Sequence, residues 1–291
     1  KFGATFKGPR TQVRKTVGLR PNALLLSAAA AAGIECVQPV FSFFQNDMAY
    51  CVANAFEQEQ PILLDQFKNK TPFSKHLTSL IKYADFGISD VKSVPANIPS
   101  DIWHQFKEQM KTQIGADEGK LEEAFNIKNA TQLQFTHTGE DSSSAGFGLD
   151  NESRGTVAAL SFFSLALRQL SRPTVTLIDE IDTSLHPALV AELVALYTDP
   201  ATNPHGSQLI FTTHDVSLIN QSGSSNRLLQ PDQIWLVEKD KDGASELFPV
   251  TELGIRKEEN IGKNYLNGVY GATSNPSFHT VFAQIMNGDD D

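Results

Sequence analysis

The sequence TVTLIDEIDTSLHP at residues 174–187 decides the fold of this chain. It contains the apolar, β-branched run of residues 175–178, which predicts a buried strand of a parallel sheet. Asp179 and Glu180 follow this run directly, at the end of the strand where open α/β sheets bind ligands. One carboxylate there can hold Mg²⁺, and its neighbour can orient or deprotonate an attacking water. An ordinary acidic turn after a strand is the alternative.

Two further segments accompany this stretch. A second predicted strand, residues 208–213, leads into His214. Upstream, residues 151–156 read NESRGT and precede a predicted amphipathic helix over residues 157–170. A Ser and a Gly at a helix N-terminus can form an anion site from free N–H groups and the positive end of the helix dipole. A simple helix cap by Ser153 is the alternative.

Composition narrows the functional classes. The 291 residues carry a formal net charge of −10, which argues against a surface coated for nucleic acid but allows a local basic patch. The two cysteines, Cys36 and Cys51, are too few for a disulfide framework or a cysteine-based metal site. Reduced thiols are the default for such a chain, so we expect a cytoplasmic protein. No apolar run reaches the roughly 18 residues that a membrane span needs, so we expect no membrane-spanning segment.

The rest of the chain gives weaker signals. Residues 45–60 weakly predict a helix, and residues 139–150 predict a flexible polar loop. Residues 234–237 and 246–250 predict a β-hairpin, and the charged residues 256–260 predict the start of a helix.

Five motifs resemble, in order, those of one family. They are ESRGT at 152–156, LIDEIDTSLHP at 177–187, NPHGSQLIFTTHD at 203–215, DQIWLVEKD at 232–240 and RKEENIGKNYLNGVYGA at 256–272. RPNALLLSAAAAAG at 20–33 and ADFGI at 84–88 fit the same group. Together they resemble the AAA/ABC-like ATP/GTP-binding proteins related to the OLD, RecF and SMC ATPases, which include abortive-infection ATPases.

The resemblance implies catalytic roles for three residues. Asp179 looks like the Walker B carboxylate that holds Mg²⁺, and Glu180 looks like the general base that aligns the attacking water. His214 looks like the switch histidine that contacts the γ-phosphate of ATP.

The resemblance also implies a nucleotide site shared between two chains. Ser153 and Gly155 look like the signature pair that binds the γ-phosphate of the opposite subunit's nucleotide. Asp182 and Ser184 look like the D-loop, which crosses the dimer interface. The residues on either side of Gly155 depart from the familiar LSGGQ pattern of the signature.

The fold implied is α/β, namely the ABC-type P-loop NTPase fold, with a parallel-sheet core, an antiparallel part and a helical insertion. Residues 1–94 would be the remainder of the N-terminal ATPase lobe with a helical segment, 95–138 a polar helical insertion, and 139–291 the C-terminal lobe. No segment matches the phosphate-binding pattern G-x-x-x-x-G-K-[ST]; in the nearest, residues 8–16, Arg14 replaces the second Gly. We expect that loop upstream of this sequence, and a degenerate ATPase is the alternative.

The function implied is an ATPase, with ATP and Mg²⁺ as cofactors, that works as a homodimer or higher homo-oligomer. It would regulate or scaffold an effector protein, such as a nuclease, in bacterial defence against phage. The alternatives are a RecF/SMC-like DNA-repair ATPase that binds DNA directly and a scaffold that does not hydrolyse nucleotide.

Overall fold

The computed structural model describes residues 5–16, 23–51, 56–96, 130–138, 144–220, 227–273 and 278–287, apart from residues 6, 85 and 257, together with isolated positions between 105 and 112. The α-helices described are α1 (Arg10–Thr16), α2 (Leu25–Ala31), α3 (Gln38–Ser42), α4 (Phe56–Lys68), α5 (Pro72–Tyr83), α6 (Arg154–Gln169), α7 (Pro187–Thr198), α8 (Ile261–Leu266) and α9 (Phe278–Asn287). The strands described are β1 (Met48–Cys51), β2 (Ile88–Pro95), β3 (Thr131–Thr138), β4 (Ser144–Gly148), β5 (Val175–Ile178), β6 (Gln208–Phe211), β7 (Trp235–Lys239) and β8 (Ser245–Pro249).

A parallel sheet with the order β1-β5-β6 positions the predicted site. One of its faces is buried in the main core: Cys51 and Ile178 cluster there with apolar side chains of α6 and α7. The opposite face carries the exposed side chains of Tyr50 and Ile210. The predicted parallel strand at 175–178 and the α/β class are therefore confirmed, whereas only one face of this strand is buried.

An antiparallel sheet with the order β2-β3-β4 lies beside this core. Its inward side chains, among them Val91, Leu133 and Phe135, join the same apolar cluster as α4 and α5. The prediction of a flexible loop over residues 139–150 was wrong for residues 144–148, which form β4. Small residues have little β-propensity, so only backbone pairing with β3 reveals this strand.

The long helix α6 is the centre of the core. It begins after Ser153, whose Oγ accepts a hydrogen bond from the backbone N–H of Thr156 at 3.0 Å, and most of its residues are buried. The buried carboxylate of Glu59 ties α4 to it, accepting from Ser164 Oγ at 2.7 Å and pairing with Arg168. A buried charge needs such partners, so this network fixes how the two helices pack.

Two helix predictions were wrong in part. Within residues 45–60 the structure has β1 at residues 48–51, because that segment pairs with β5 along its whole length. The charged residues 256–260 precede α8 instead of starting it, because Asn260 Oδ1 accepts from the backbone N–H of Lys263 and caps the helix there. The predicted hairpin is confirmed as β7 and β8.

The division into residues 1–94, 95–138 and 139–291 stays a prediction. In the described ranges, no helix has both the length and the apolar character needed to cross a membrane.

Candidate nucleotide site

Asp179 lies at the carboxyl end of the central strand of the parallel sheet. Its backbone N–H donates to the carbonyl of Cys51 at the end of β1, at 3.0 Å. On the other side, β5 and β6 are paired to their last residues, so Thr212 follows β6 at the same level. The side chains of Asp179 and Glu180 are exposed. The loop after the central strand is thus held by both neighbours and presents two carboxylates to solvent.

Thr212 joins the two strand ends through its hydroxyl group. Its Oγ1 donates to Asp179 Oδ1 at 2.6 Å and accepts from the backbone N–H of Glu180 at 2.8 Å. Its backbone carbonyl accepts from the N–H of Ile181 at 3.1 Å. A hydroxyl group has one donor and two acceptor positions, so the Thr212 hydroxyl can donate to Asp179 and accept from Glu180 at the same time. Thr212 therefore orients one carboxylate and fixes the backbone of the next residue.

Asp182 ties the loop after β5 to the loop after β6. Its Oδ1 accepts from Thr213 Oγ1 at 2.7 Å and from the backbone N–H of His214 at 3.3 Å. The His214 side chain is exposed, and its ring makes no hydrogen bond to any residue that the structure describes. Its imidazole is therefore available to a ligand while its backbone is held.

The loop after β5 contains two strained residues. Glu180 and Ser184 have φ angles of 53° and 67°, in the left-handed region that side chains other than glycine rarely adopt. Each such residue costs roughly 1–3 kcal/mol and persists only where its surroundings enforce it, which happens most often at functional sites. For Glu180 the enforcing contacts are its N–H bond to Thr212 and a bond from the N–H of Thr183 to its carbonyl, at 3.0 Å.

The first turn of α6 contacts the same loop. A Cβ atom added at Gly155 would lie 2.9 Å from the backbone carbonyl oxygen of Ser184, so any side chain there would collide with the loop. Ser153 caps the helix, and its Oγ also shares a hydrogen bond with Thr156 Oγ1 at 2.9 Å. The helix cap by Ser153, which was the alternative to an anion site, is thus confirmed.

A hydrogen bond anchors the segment in front of this helix turn. Glu152 Oε1 lies 2.8 Å from His137 Nε2, and the Glu152 side chain is only 4% exposed. His137 belongs to β3, and its ring also packs edge-on against Phe147 of β4. The antiparallel sheet therefore fixes the position of Ser153, the next residue in the chain.

The predicted site residues form two connected groups. The strand-end group is held together by hydrogen bonds or by one short loop and comprises Asp179, Glu180, Asp182, Ser184 and His214. The helix-turn group comprises Ser153 and Gly155, and Gly155 lies against the backbone of Ser184 in the strand-end group. Their roles in nucleotide chemistry stay predictions.

The donors at the strand ends fit Mg²⁺ if phosphate and water supply its other ligands. Within the described residues, no three His, Cys, Asp or Glu side chains converge as a complete metal site. Mg²⁺ in phosphate-processing sites, however, takes one or two carboxylates and completes its six oxygens with waters and substrate phosphates. Asp179 can supply such a carboxylate, because Thr212 fixes Oδ1 and Oδ2 bonds to none of the described residues.

Comparison with family models agrees with this geometry. The model described as "AAA domain, putative AbiEii toxin, Type IV TA system" matches residues 60–220, more than half of the chain. The chain belongs to this AAA-domain family. A comparison with curated proteins found no match.

Membership places the chain among the AAA-family ATPases related to the abortive-infection ATPases, and it implies nucleotide binding. The matched range begins within α4 and ends after His214, so it includes both groups of predicted site residues. The part of the chain from β7 onward lies outside the match.

Sequence reasoning assigned no role to Thr212 and Thr213, although both lie in the TTHD segment. Both hydroxyl groups contact an acid of the neighbouring loop. Their position in the sequence was the available signal. Thr212 and Thr213 directly follow a predicted strand, and the acids directly follow the strand before it, so parallel pairing brings both to the same edge of the sheet.

Proposed function

We propose that the protein hydrolyses ATP, with Glu180 as the general base and Asp179 as the carboxylate for Mg²⁺. The observation that carries this proposal is the strand-end geometry, where Thr212 orients Asp179 and holds Glu180 in a strained, exposed conformation. Bound Mg²⁺ would neutralise charge on the phosphates. His214, whose ring is available, would contact the γ-phosphate. Hydrolysis also requires a phosphate-binding loop, which is part of the proposal.

The test is ATP turnover by the protein expressed from its complete gene. Replacing Glu180 with Gln removes the base but keeps the size of the side chain, so we expect turnover to fall by about 10²–10⁴ while nucleotide still binds. Glu192→Gln is the matched control, because this substitution makes the same change in charge at an exposed position of α7. Unchanged turnover in Glu180→Gln would exclude this role, and a wild-type protein that binds but never hydrolyses ATP would favour the non-hydrolysing scaffold.

We further propose that two copies share each nucleotide site, with Ser153 and Gly155 of one copy facing the Asp179 and Glu180 of the other. Ser153 is exposed in front of the first turn of α6, so a second copy could reach it, which supports this proposal. Mixing Ser153→Arg protein with Glu180→Gln protein then creates one intact site in every heterodimer. Random pairing should restore about a quarter of wild-type turnover if the two sites act independently. No recovery, with heterodimers demonstrated, would contradict the shared site.

The ATPase cycle is proposed to hold or release an effector protein, such as a nuclease, during phage infection. The support is the description of the matched family, which names a toxin of a type IV toxin–antitoxin system. The measurement is copurification with the product of a neighbouring gene, with and without ATP, together with phage plating on cells that carry Glu180→Ala. Full protection by that variant, without a stable partner, would count against the proposal.

A further inference from the structure

The motif RKEENIGKNYLNGVYGA at residues 256–272 lies outside both groups of predicted site residues. Together with the β7–β8 hairpin it surrounds a second apolar core, apart from the main core around α6. We call residues 227–273 the C-terminal unit. The buried members of its core are Ile234, Leu236, Val250, Ile261 and Tyr270. The influence of this unit on the site depends on where it touches the AAA domain.

Glu259 holds the C-terminal unit together. One oxygen of its carboxylate accepts from the Tyr270 hydroxyl at 2.8 Å, and Asn264 donates to the same oxygen. The other oxygen accepts from the backbone N–H of Arg256 at 2.9 Å. The backbone carbonyl of Glu259 accepts from the guanidinium of Arg227. These bonds tie the two ends of the motif to each other and to the start of the unit, so this part of the unit is fixed as one piece.

The first turn of α8 presses on the segment that follows His214. A Cβ atom added at the buried Gly262 would lie 2.8 Å from the Cα atom of Asn220 and 3.0 Å from its backbone N. Beside this contact, Nδ2 of Asn260 donates to the carbonyl oxygen of Asn220 at 3.4 Å. Glycine disfavours a helix relative to alanine, and this close approach of two backbones explains why a glycine is present.

A single 3₁₀ turn, Val216–Ile219, lies between His214 and Asn220. Leu218 of this turn is buried in the main core, whereas Ile219 packs against the core of the C-terminal unit. The turn is therefore clamped between the two parts of the molecule. Closely packed segments transmit a displacement because they have no empty space in which to absorb it. A shift of Asn220 should thus reach His214.

We propose that the C-terminal unit positions the imidazole of His214 through this contact, with Asn220 and Gly262 as positioning residues. The inference rests on the proposed function, in which His214 contacts the γ-phosphate. Asp182 holds the backbone N–H of His214 from one side, at 3.3 Å, and the clamped turn holds the same backbone from the other. Hydrolysis would then depend on a unit that lies outside the matched family range.

The first test measures ATP turnover by the protein expressed from its complete gene. In Gly262→Ala the new Cβ would need an ordinary carbon–carbon separation of about 3.5 Å in place of 2.8 Å, which displaces Asn220 by roughly 0.7 Å. A misplacement of about 1 Å can cost about 10²-fold in rate, so kcat should fall about 10–100-fold. Asp179 stays in place, so nucleotide affinity should remain within about threefold of wild type. Lys263→Ala, an exposed change in the same turn, is the matched control and should keep the wild-type kcat.

Two further variants separate positioning from a loss of stability. Asn260→Asp keeps the helix cap, since Asn and Asp cap equally well, but it puts a carboxylate in place of the donor beside the Asn220 carbonyl. It should lower kcat about 3–10-fold and leave the urea midpoint unchanged. Gly262→Ala/Asn220→Gly lacks the Cβ atom of Asn220, which is one of the close atoms, so part of the lost kcat should return. If lost stability caused the defect, the second substitution would deepen it instead.

Hydrogen–deuterium exchange tests the contact independently of hydrolysis. In Gly262→Ala, the amides of residues 214–220 should exchange about tenfold faster than in wild type, and those of residues 175–181 should keep the wild-type rate. Wild-type exchange at 214–220, a wild-type kcat in Gly262→Ala, or an equal loss of kcat in Lys263→Ala would each overturn the inference. If the wild-type protein binds ATP but never hydrolyses it, the proposed function fails, and exchange at the His214 amide alone decides whether the C-terminal unit positions this residue.

Discussion

The contact between Gly155 and Ser184 gives a prediction whose size follows from the structure. In Gly155→Ala, the new Cβ would lie 2.9 Å from the carbonyl oxygen of Ser184. Carbon–oxygen contacts are normally at least about 3.3 Å, so the helix turn and the loop must separate by about 0.4 Å. The Cβ atom is fixed to the backbone and the carbonyl oxygen belongs to it, so no side-chain rotation can relieve the contact. The backbone of Ser184 is also already strained, in the left-handed region.

The energies decide where the effect should be seen. Overpacking costs about 1–3 kcal/mol, whereas Ala gains up to about 1 kcal/mol over Gly in a helix. The protein should therefore lose about 0–3 kcal/mol of unfolding free energy and stay folded. If the site needs the native spacing for catalysis, regaining it requires about 1–2 kcal/mol, and kcat for ATP should fall about 5–30-fold.

The assays are steady-state phosphate release and urea unfolding followed by circular dichroism. Gly146→Ala is the matched control: its Cβ would lie 2.7 Å from Gln134, but from the side chain, which can turn away. That variant should keep kcat within about twofold and the unfolding free energy within about 0.5 kcal/mol. Wild-type kcat in Gly155→Ala would refute the reasoning, because the helix turn could then shift without consequence.

Three further changes test other contacts. Thr212→Val removes a hydroxyl that bonds both segments of the acid pair and should lower kcat about 5–30-fold, with Thr212→Ser near wild type. His137→Ala leaves the Glu152 carboxylate unpaired and should lower the unfolding free energy in urea by about 1–3 kcal/mol. The loss is smaller than for a fully buried pair because the His137 side chain is 30% exposed. Adding Glu152→Gln to the same chain should recover part of this loss. Burial raises the pKa of Cys51 from 9.0 to about 11, so alkylation at pH 8 should modify exposed Cys36 and spare Cys51. Since the raised pKa belongs to the folded state, the protonated Cys51 should contribute its full share of the unfolding free energy below pH 9, and this share should disappear toward pH 11. Cys51→Ala should remove this fall of the unfolding free energy with pH.

The site strands were predictable because their signal is local. A strand of a parallel sheet is typically a continuous apolar run, and the run at residues 175–178 ends directly in Asp179 and Glu180. The third strand of the same sheet, Met48–Cys51, was missed. It is four residues long, contains no β-branched side chain and takes its definition from pairing with the distant β5, which no local pattern encodes.

The contacts inside the site were not predictable for a related reason. The motifs named Asp182, Ser184 and Gly155, but the collision of a Gly155 side chain with the Ser184 carbonyl depends on the angle at which α6 meets the loop.

The order of these contacts along the site bears on how two copies could act on each other. Gly155 abuts Ser184, and the loop from Ser184 back to Glu180 is short and strained at both ends. Asp182, within that loop, is held by the loop that carries His214. A ligand or a second copy that displaced the first turn of α6 would therefore push on a loop with little freedom to absorb the shift. Since packed segments of this kind change between discrete arrangements, we expect contact at Ser153 to alter the position of Glu180.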